Sequence, residues 1–173
     1  IDGADALMLS GETSVGKNPI KAVNAMRNII RDIESSEHSI SKNTENREIK
    51  DKGRFLTNAI CSNATQIATQ TKAKAIITIT YSGFNTIKVS SFRPQAFIYA
   101  FTNNHSILNT LSLVWGVKGF YYEGSSTTSQ TIKETKEILK KQKYLKKGQV
   151  VVNIASMPAR EKGTTNMMKV SKI

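Results

Sequence analysis

Apolar positions along this chain follow two periods, and the switches between them mark out the elements. Ala6 to Leu9 is a near-continuous apolar run that stops on Ser10-Gly11-Glu12-Thr13, a pattern that predicts a parallel strand covered on both faces and ending in a small polar loop. Asn18-Pro19 then reads as an N-cap followed by proline at the first helical position, where its missing N–H costs nothing. Ala22, Val23, Met26, Ile29, Ile30 and Ile33 share one face of that helix, which is expected to run to about Glu34. The period then disappears: residues 35–53 are polar and charged, and read as a linker.

Helical spacing returns with Phe55, Leu56, Ala59, Ile60, Ala64, Ile67 and Ala68. From there strands and helices alternate. Strands are predicted at 75–80, 96–101, 117–121 and 149–155, with helices at 85–91, 104–114 and 129–142 between them. A last strand at 167–171 is expected to be antiparallel and at an edge. Alternation of this kind predicts an α/β fold: an open, mostly parallel sheet of about five strands with helices on both faces.

Composition narrows the chemistry. Cys61 is the single cysteine, so no internal disulfide forms and no cysteine-based metal site can be built. His38 and His105 are the only histidines, which leaves zinc or iron without a ligand set and predicts no metal site in this chain. No apolar run approaches the roughly 18–20 residues that cross a bilayer, so no membrane partner is expected. The chain has no signal peptide and starts at Ile1 inside a motif, so it reads as part of something longer. The net charge of +12 raises nucleic acid as a partner. Its excess lies at Lys133, Lys136, Lys140, Lys141, Lys143, Lys146 and Lys147, on a helix whose apolar face is Ile132, Thr135, Ile138 and Leu139. Tyr144 is the one aromatic there, so a solvated lysine face without specific nucleic-acid binding is the expectation.

Two loops carry candidate binding chemistry. Thr80-Tyr81-Ser82-Gly83-Phe84-Asn85-Thr86 joins a strand to a helix, with a glycine for close backbone approach and hydroxyls beside helix N–H groups, an arrangement suited to a phosphate. Gly163-Thr164-Thr165-Asn166 offers hydroxyls again, with Arg160 and Lys162 nearby for charge. Arg93 would hold either a phosphate or a carboxylate, and Trp115 reads as a core residue. Ser10 and Glu12 have no histidine base beside them, so they do not form a nucleophile arrangement.

The run from Asp2 to Thr13, with Gly16 to Val23 behind it, resembles the pyruvate kinase segment D-G-A/T-D-x-x-M-L-S-G-E-T and the G-x-x-P-x-x-A-V helix start that follows it. Residues 80–86 resemble the family's T-x-S-G-x-[TS] loop, with Asn85 in place of the usual Thr or Ser. Phe92-Arg93-Pro94 and Trp115-Gly116-Val117 match further family motifs, and Met157 to Val170 resembles the ending of bacterial and plastid-type members, with Ala159 where a glycine is common. The resemblance implies three parts: residues 1–34 as the last strand and helix of a catalytic (β/α)8 barrel, 35–53 as linker, and 54–173 as the C-terminal regulatory and assembly domain.

It implies that the full-length parent transfers a phosphoryl group from phosphoenolpyruvate to ADP with Mg²⁺ and K⁺, giving pyruvate and ATP, while this part alone is inactive. Ser10 would line the rim of the substrate pocket and Glu12 would support its loop. Thr80, Ser82, Gly83, Asn85, Thr86, Arg160, Lys162, Gly163 and Thr165 would hold a phosphorylated effector, either a sugar phosphate or a nucleotide. A homotetramer in the cytoplasm or a plastid is the implied setting. Two other readings stand beside it: a free-standing α/β module that binds a small molecule, and a basic nucleic-acid-binding protein.

Overall fold

The computed structural model describes residues 3–35, 54–157 and 164–173. The linker expected at 35–53 therefore lies outside the described residues, except for Ser35, which ends a helix. The chain order is α1 (Gly11–Ser14), α2 (Pro19–Ser35), α3 (Phe55–Gln70), β1 (Ala75–Ile79), α4 (Phe84–Ser91), β2 (Phe97–Thr102), α5 (His105–Leu111), β3 (Val117–Tyr121), α6 (Thr128–Lys141), β4 (Val150–Ala155) and β5 (Met167–Lys172).

The strands form one five-stranded sheet in the order β3-β2-β1-β4-β5. The first four are parallel, and β5 pairs antiparallel with β4 at the edge. Register follows the apolar pattern, with Ile76 beside both Ile98 and Val152 in the middle of the sheet. Because side chains alternate across a strand, one face presents Ile76, Ile98, Val152 and Ile154 to Cys61, Ala64 and Ala68 of α3 and Val89 of α4. The small residues of α3 let that helix lie close on the sheet. Helix α5 covers the same face at β3, where Leu108 sits where a side chain on Gly119 would stand.

The other face presents Ala75, Ile77, Tyr99, Phe101 and Val151 to Leu139 of α6 and to Leu145 just after it. Phe101 stacks on Phe120 with ring centres 5.0 Å apart, filling the space between β2 and β3. Helices on both faces of a mostly parallel sheet are what the alternating pattern predicts. The lysines of α6 point outward: Lys133, Lys140 and Lys141 are exposed, while Thr131, Ile132, Thr135 and Leu139 are buried. Lys136 is the exception, donating from Nζ to the Lys172 carbonyl at 2.7 Å and so holding the end of β5.

Residues 6–9 differ from the expectation. They form no strand, and Leu7 and Met8 are exposed. A parallel strand is held by hydrogen bonds to neighbours on its sheet, and none of the described residues lies beside this run as a strand. The helix behind it does form from Pro19, because helical hydrogen bonds close within the segment itself. No residue of its apolar stripe is fully buried: Ala22, Met26, Ile30 and Ile33 are half-buried, and Ile20, Val23 and Ile29 remain exposed.

The N-terminal segment is tied to the sheet domain by polar contacts at the N-terminal ends of the strands. Arg93 makes an ion pair with Asp5 at 2.8 Å and donates from Nη2 to the Gly3 and Ala4 carbonyls at 2.6 and 3.2 Å. Its guanidinium also lies 5.0 Å from the Trp115 ring centre, and Trp115 Nε1 donates to Glu34 at 2.8 Å. Arg93 thus holds a carboxylate rather than a phosphate. Trp115 is half-buried and works as a tether rather than as core.

Candidate functional site

A cleft of about 870 Å³ opens at the C-terminal ends of β1 to β4. Chain connections leave β1 and β4 in opposite directions across the sheet, so their loops diverge there and leave room for a ligand. The β1 loop supplies Thr80, Tyr81, Ser82, Phe84 and Asn85, and the chain entering β5 supplies Thr164 and Thr165.

The β1 loop is shaped by its own hydrogen bonds. Gly83 has φ +79 and donates its N–H to Thr80 Oγ1 at 2.9 Å, which closes the turn into α4. A side chain at Gly83 would adopt a disfavoured backbone and meet Ile107 at 3.1 Å. Thr80 Oγ1 is an acceptor in this turn and keeps its own O–H to donate outward. Ser82 is exposed on the cleft wall.

Asn85 joins the two loops. Its Nδ2 donates to the Ile79 carbonyl at 3.0 Å and to Thr165 Oγ1 at 2.9 Å, a contact between residues 80 apart in the chain. Thr165 in turn donates its backbone N–H to Thr57 Oγ1 of α3 at 3.1 Å. The amide therefore replaces a hydroxyl with a group long enough to bridge. Thr86 sits behind the cleft: it is fully buried, and its hydroxyl bonds to Thr78 Oγ1 at 2.7 Å. Asn166 locks the neck of the next loop by exchanging hydrogen bonds of 2.7 Å each with the Met157 backbone. Arg160, Lys162 and Gly163 lie outside the described residues.

The structure thus brings Thr80, Ser82, Asn85 and Thr165 onto one cleft, places Gly83 in the turn below it, and sets Thr86 in the packing behind. Sequence reasoning missed the opposite wall, made by Thr102 and Asn103 at the end of β2 and by Glu123 to Ser126 after β3. The signal was present, since Glu123-Gly124-Ser125-Ser126 follows the C-terminal end of a predicted parallel strand. Tyr122 beside it donates its hydroxyl to Glu134 Oε2 at 2.5 Å. Burial, with that bond, holds the phenol above its usual range, and the bonds from Tyr122 and Gln130 hold the Glu134 carboxyl below its own.

Ser10 and Glu12 lie away from the cleft residues in sequence, at the start of α1. Glu12 Oε2 accepts the Ser10 backbone N–H at 3.0 Å, and the Ser10 carbonyl accepts from Thr13 and Ser14. Backbone N–H groups of Glu12 and Ser10 lower the Glu12 pKa, which suits a carboxylate fixing a turn at a helix start. Among the described residues no group of three or more His, Cys, Asp or Glu side chains is placed to hold a metal ion. No helix of the described residues is long and apolar enough to cross a membrane.

Residues 58–171 match the family model described as pyruvate kinase, alpha/beta domain. The chain is 34% identical over its whole length to a pyruvate kinase of Lactobacillus delbrueckii subsp. bulgaricus and spans 29% of that protein. It is 35% identical to a pyruvate kinase of Geobacillus stearothermophilus, with 99% of the chain matched and 29% of that protein spanned. Pyruvate kinase 2 of Synechocystis sp. is likewise 35% identical, across all of this chain and 28% of that protein. A crystal structure of a pyruvate kinase from Cryptosporidium parvum superposes on 99% of the chain with a TM-score of 0.78 at 25% identity, and the chain covers 34% of it. A match to the family model over most of the chain, on a mostly parallel sheet with the expected antiparallel edge strand, places this protein in the pyruvate kinase family as its C-terminal part.

Proposed function

We propose that this chain is the effector-binding and assembling part of a phosphotransferase that moves the phosphoryl group of phosphoenolpyruvate to ADP. The relatives are named pyruvate kinases, and the chain spans under a third of their length. The observation that carries the effector role is the Asn85–Thr165 bridge, which unites two hydroxyl-bearing loops into one cleft wall. Thr80 and Ser82 donate hydroxyls to a phosphate there, and Arg160 and Lys162, on the segment between Met157 and Thr164, supply its counter-charge. The described wall carries no Lys or Arg, so this reading depends on those two side chains.

In the parent, Ser10 lines the rim of the substrate pocket, and Glu12 holds its loop in shape. The phosphoryl-transfer machinery, with Mg²⁺ and K⁺, belongs to the remaining length of the parent, and the chain alone forms no pyruvate. The unburied stripe of α2 supports packing of this helix against that missing portion. The compartment is the cytosol or a plastid.

Titration of the 173-residue chain with sugar phosphates and AMP, followed by amide shifts of residues 80–86, tests the effector role. Binding in the micromolar to millimolar range is expected, because two or three charge-assisted hydrogen bonds of about 1.5–3 kcal/mol each are offset by ordering costs. Ser82→Glu should abolish it by putting a carboxylate where the phosphate sits. No shift at millimolar ligand would sink the effector role. Detection of Mg²⁺-dependent pyruvate formation by the purified chain would refute its inactivity.

A further inference from the structure

The end of the sheet away from the cleft carries a run of lysines, and the fold gives that run a platform of rings. Residues 138–150 include Lys140, Lys141, Lys143, Lys146 and Lys147 and no Asp or Glu. All five lysines are exposed. Among the described residues Lys140 is the one of them in an ion pair, with Glu137 at 3.8 Å.

In the sequence Tyr144 stands alone among these lysines, but three further rings reach it in the fold. Lys143 takes the left-handed φ of +62 that ends α6, and the Tyr144 N–H bonds back to the Leu139 carbonyl at 2.9 Å. Leu145 is thereby buried, and the Tyr144 ring lies against Tyr99 and Phe120, its centre 5.6 Å from each. Phe97, the first residue of β2, stacks on the same Tyr99 with centres 6.2 Å and planes 20° apart. Tyr99 is buried and fixes both outer rings, of which Phe97 is 63% exposed and Tyr144 38%. Lys118 is also exposed, with Nζ 4.8 Å from the Tyr144 ring centre.

We propose that this end of the sheet binds single-stranded nucleic acid without sequence preference, with bases stacking at Phe97 and Tyr144 and the lysines around them holding phosphates. Rings held rigidly by other rings present apolar faces at little cost in side-chain order, and every base has a face to stack on them. The lysines supply the complementary charge, and Lys118 is placed to swing from the Tyr144 ring to a phosphate, since a cation–π contact at an exposed site is weak. A duplex fits less well because its bases are already stacked and paired. An anionic membrane fits less well because the apolar face of α6 is buried in the domain and has none to insert. The site lies at the opposite ends of the strands from the cleft, so it is independent of the effector reading.

Fluorescence anisotropy of the 173-residue chain with labelled oligo(dT) and oligo(U) of about 12 nucleotides is the test. Binding is expected at about 1–100 µM, weakening about 20- to 50-fold as salt rises from about 50 to about 200 mM, as three or four neutralised phosphates require. Phe97→Ala should weaken it about tenfold with the same salt slope, and Phe97→Trp should retain it. Lys146→Glu with Lys147→Glu should weaken binding and flatten the slope. Lys133→Gln, exposed on α6 toward its other end, should change it by no more than about twofold. The substituted residues are all exposed, so the variants should fold, and circular dichroism checks that. Binding that Phe97→Ala leaves unchanged, or a duplex held as tightly as the single strand, would overturn the stacking role and leave a surface of charge alone. No binding at about 100 µM chain, or binding to phosphatidylserine vesicles but to neither oligonucleotide, would remove the nucleic-acid site altogether.

Discussion

At the residue scale, the cleft depends on positions whose chemistry has few substitutes. Gly83 combines a left-handed φ of +79 with Ile107 at 3.1 Å from where its Cβ would be. Gly83→Ala should cost about 1–2 kcal/mol from the backbone alone, and more if Ile107 cannot yield. Urea unfolding of the two chains measures this, and an unchanged midpoint would mean that the turn relaxes into another conformation. Cys61 gives a second prediction. It is fully buried on the sheet-facing side of α3, and burial pushes its thiol up to about 12, against the opposite pull of Lys88. An acid whose folded pKa is raised favours the folded state until the unfolded thiol ionises. Stability should therefore fall as pH rises past about 9, by at most ~1.4 kcal/mol per pH unit from this group. Burial raises the Tyr99 and Tyr122 phenols as well, and they add to the alkaline loss in the same sense. Cys61→Ala should flatten the lower part of that decline. An identical pH profile in the variant would show that the thiol is not its source.

At the element scale, the informative contacts join segments far apart in sequence. The Asn85–Thr165 hydrogen bond ties the start of α4 to the chain entering β5. A double-mutant cycle of Asn85→Ala and Thr165→Val should give a coupling of about 0.5–1.5 kcal/mol, since the bond is buried and the cycle cancels the loss of the Asn85 bonds to the Ile79 carbonyl and the Thr86 hydroxyl. Zero coupling would mean that the loops are held by Thr57 and the backbone instead. Arg93 is the corresponding joint at the other end of the strands. It occupies φ +50, which is unfavourable for a side-chain-bearing residue, yet it reaches Asp5 and the Gly3 and Ala4 carbonyls. Arg93→Asn tolerates that backbone but cannot reach. Hydrogen exchange at residues 4–9 should then speed up while the sheet stays protected. Faster exchange throughout β1 and β2 would show instead that Arg93 supports the sheet.

At the scale of the whole molecule, the sheet is covered by helices on its faces and open at its two edges, at β3 and at β5. That strand is antiparallel, at the edge, with Val170 exposed. An edge strand presents unpaired backbone groups to a second chain, which supports assembly through this edge. Val170→Glu should lower the mass seen by light scattering without changing the circular dichroism spectrum. An unchanged mass would move the contact elsewhere or leave the chain a monomer. The reporter for ligand binding is also decided at this scale. Trp115 lies at the N-terminal ends of the strands, bonded to Glu34, whereas the cleft is at the other end. Amide shifts or calorimetry are the suitable probes, with Tyr81 and Tyr122 as the nearer aromatics.

Much of this architecture is legible in the order of residues. Apolar runs of five or six with helical segments between them predict the parallel strands, because a strand buried on both faces has little choice but to be apolar. The Val117–Tyr121 strand is read at its observed limits, and the antiparallel edge strand near 167 is read with its direction. The turn at Gly83 is legible because only glycine accepts that φ readily. Other features required the folded chain. The run Ala6–Leu9 has the composition of a buried strand, but a strand exists only through hydrogen bonds to neighbours, and local sequence does not supply them. Thr86 belongs to the same hydroxyl-rich turn as Thr80 and Ser82, yet its place in the first turn of α4 points it back toward Thr78. Glu123, Asn103 and Thr165 come from three segments that meet only when β1, β2, β3 and β4 lie side by side. Sequence alone determined the periods, the turns and the family, because those are set by each residue's own backbone and burial preferences. Tertiary structure decided which hydroxyls face the cleft and which carboxylate stands opposite, because those depend on strand order and on directions that no single segment holds.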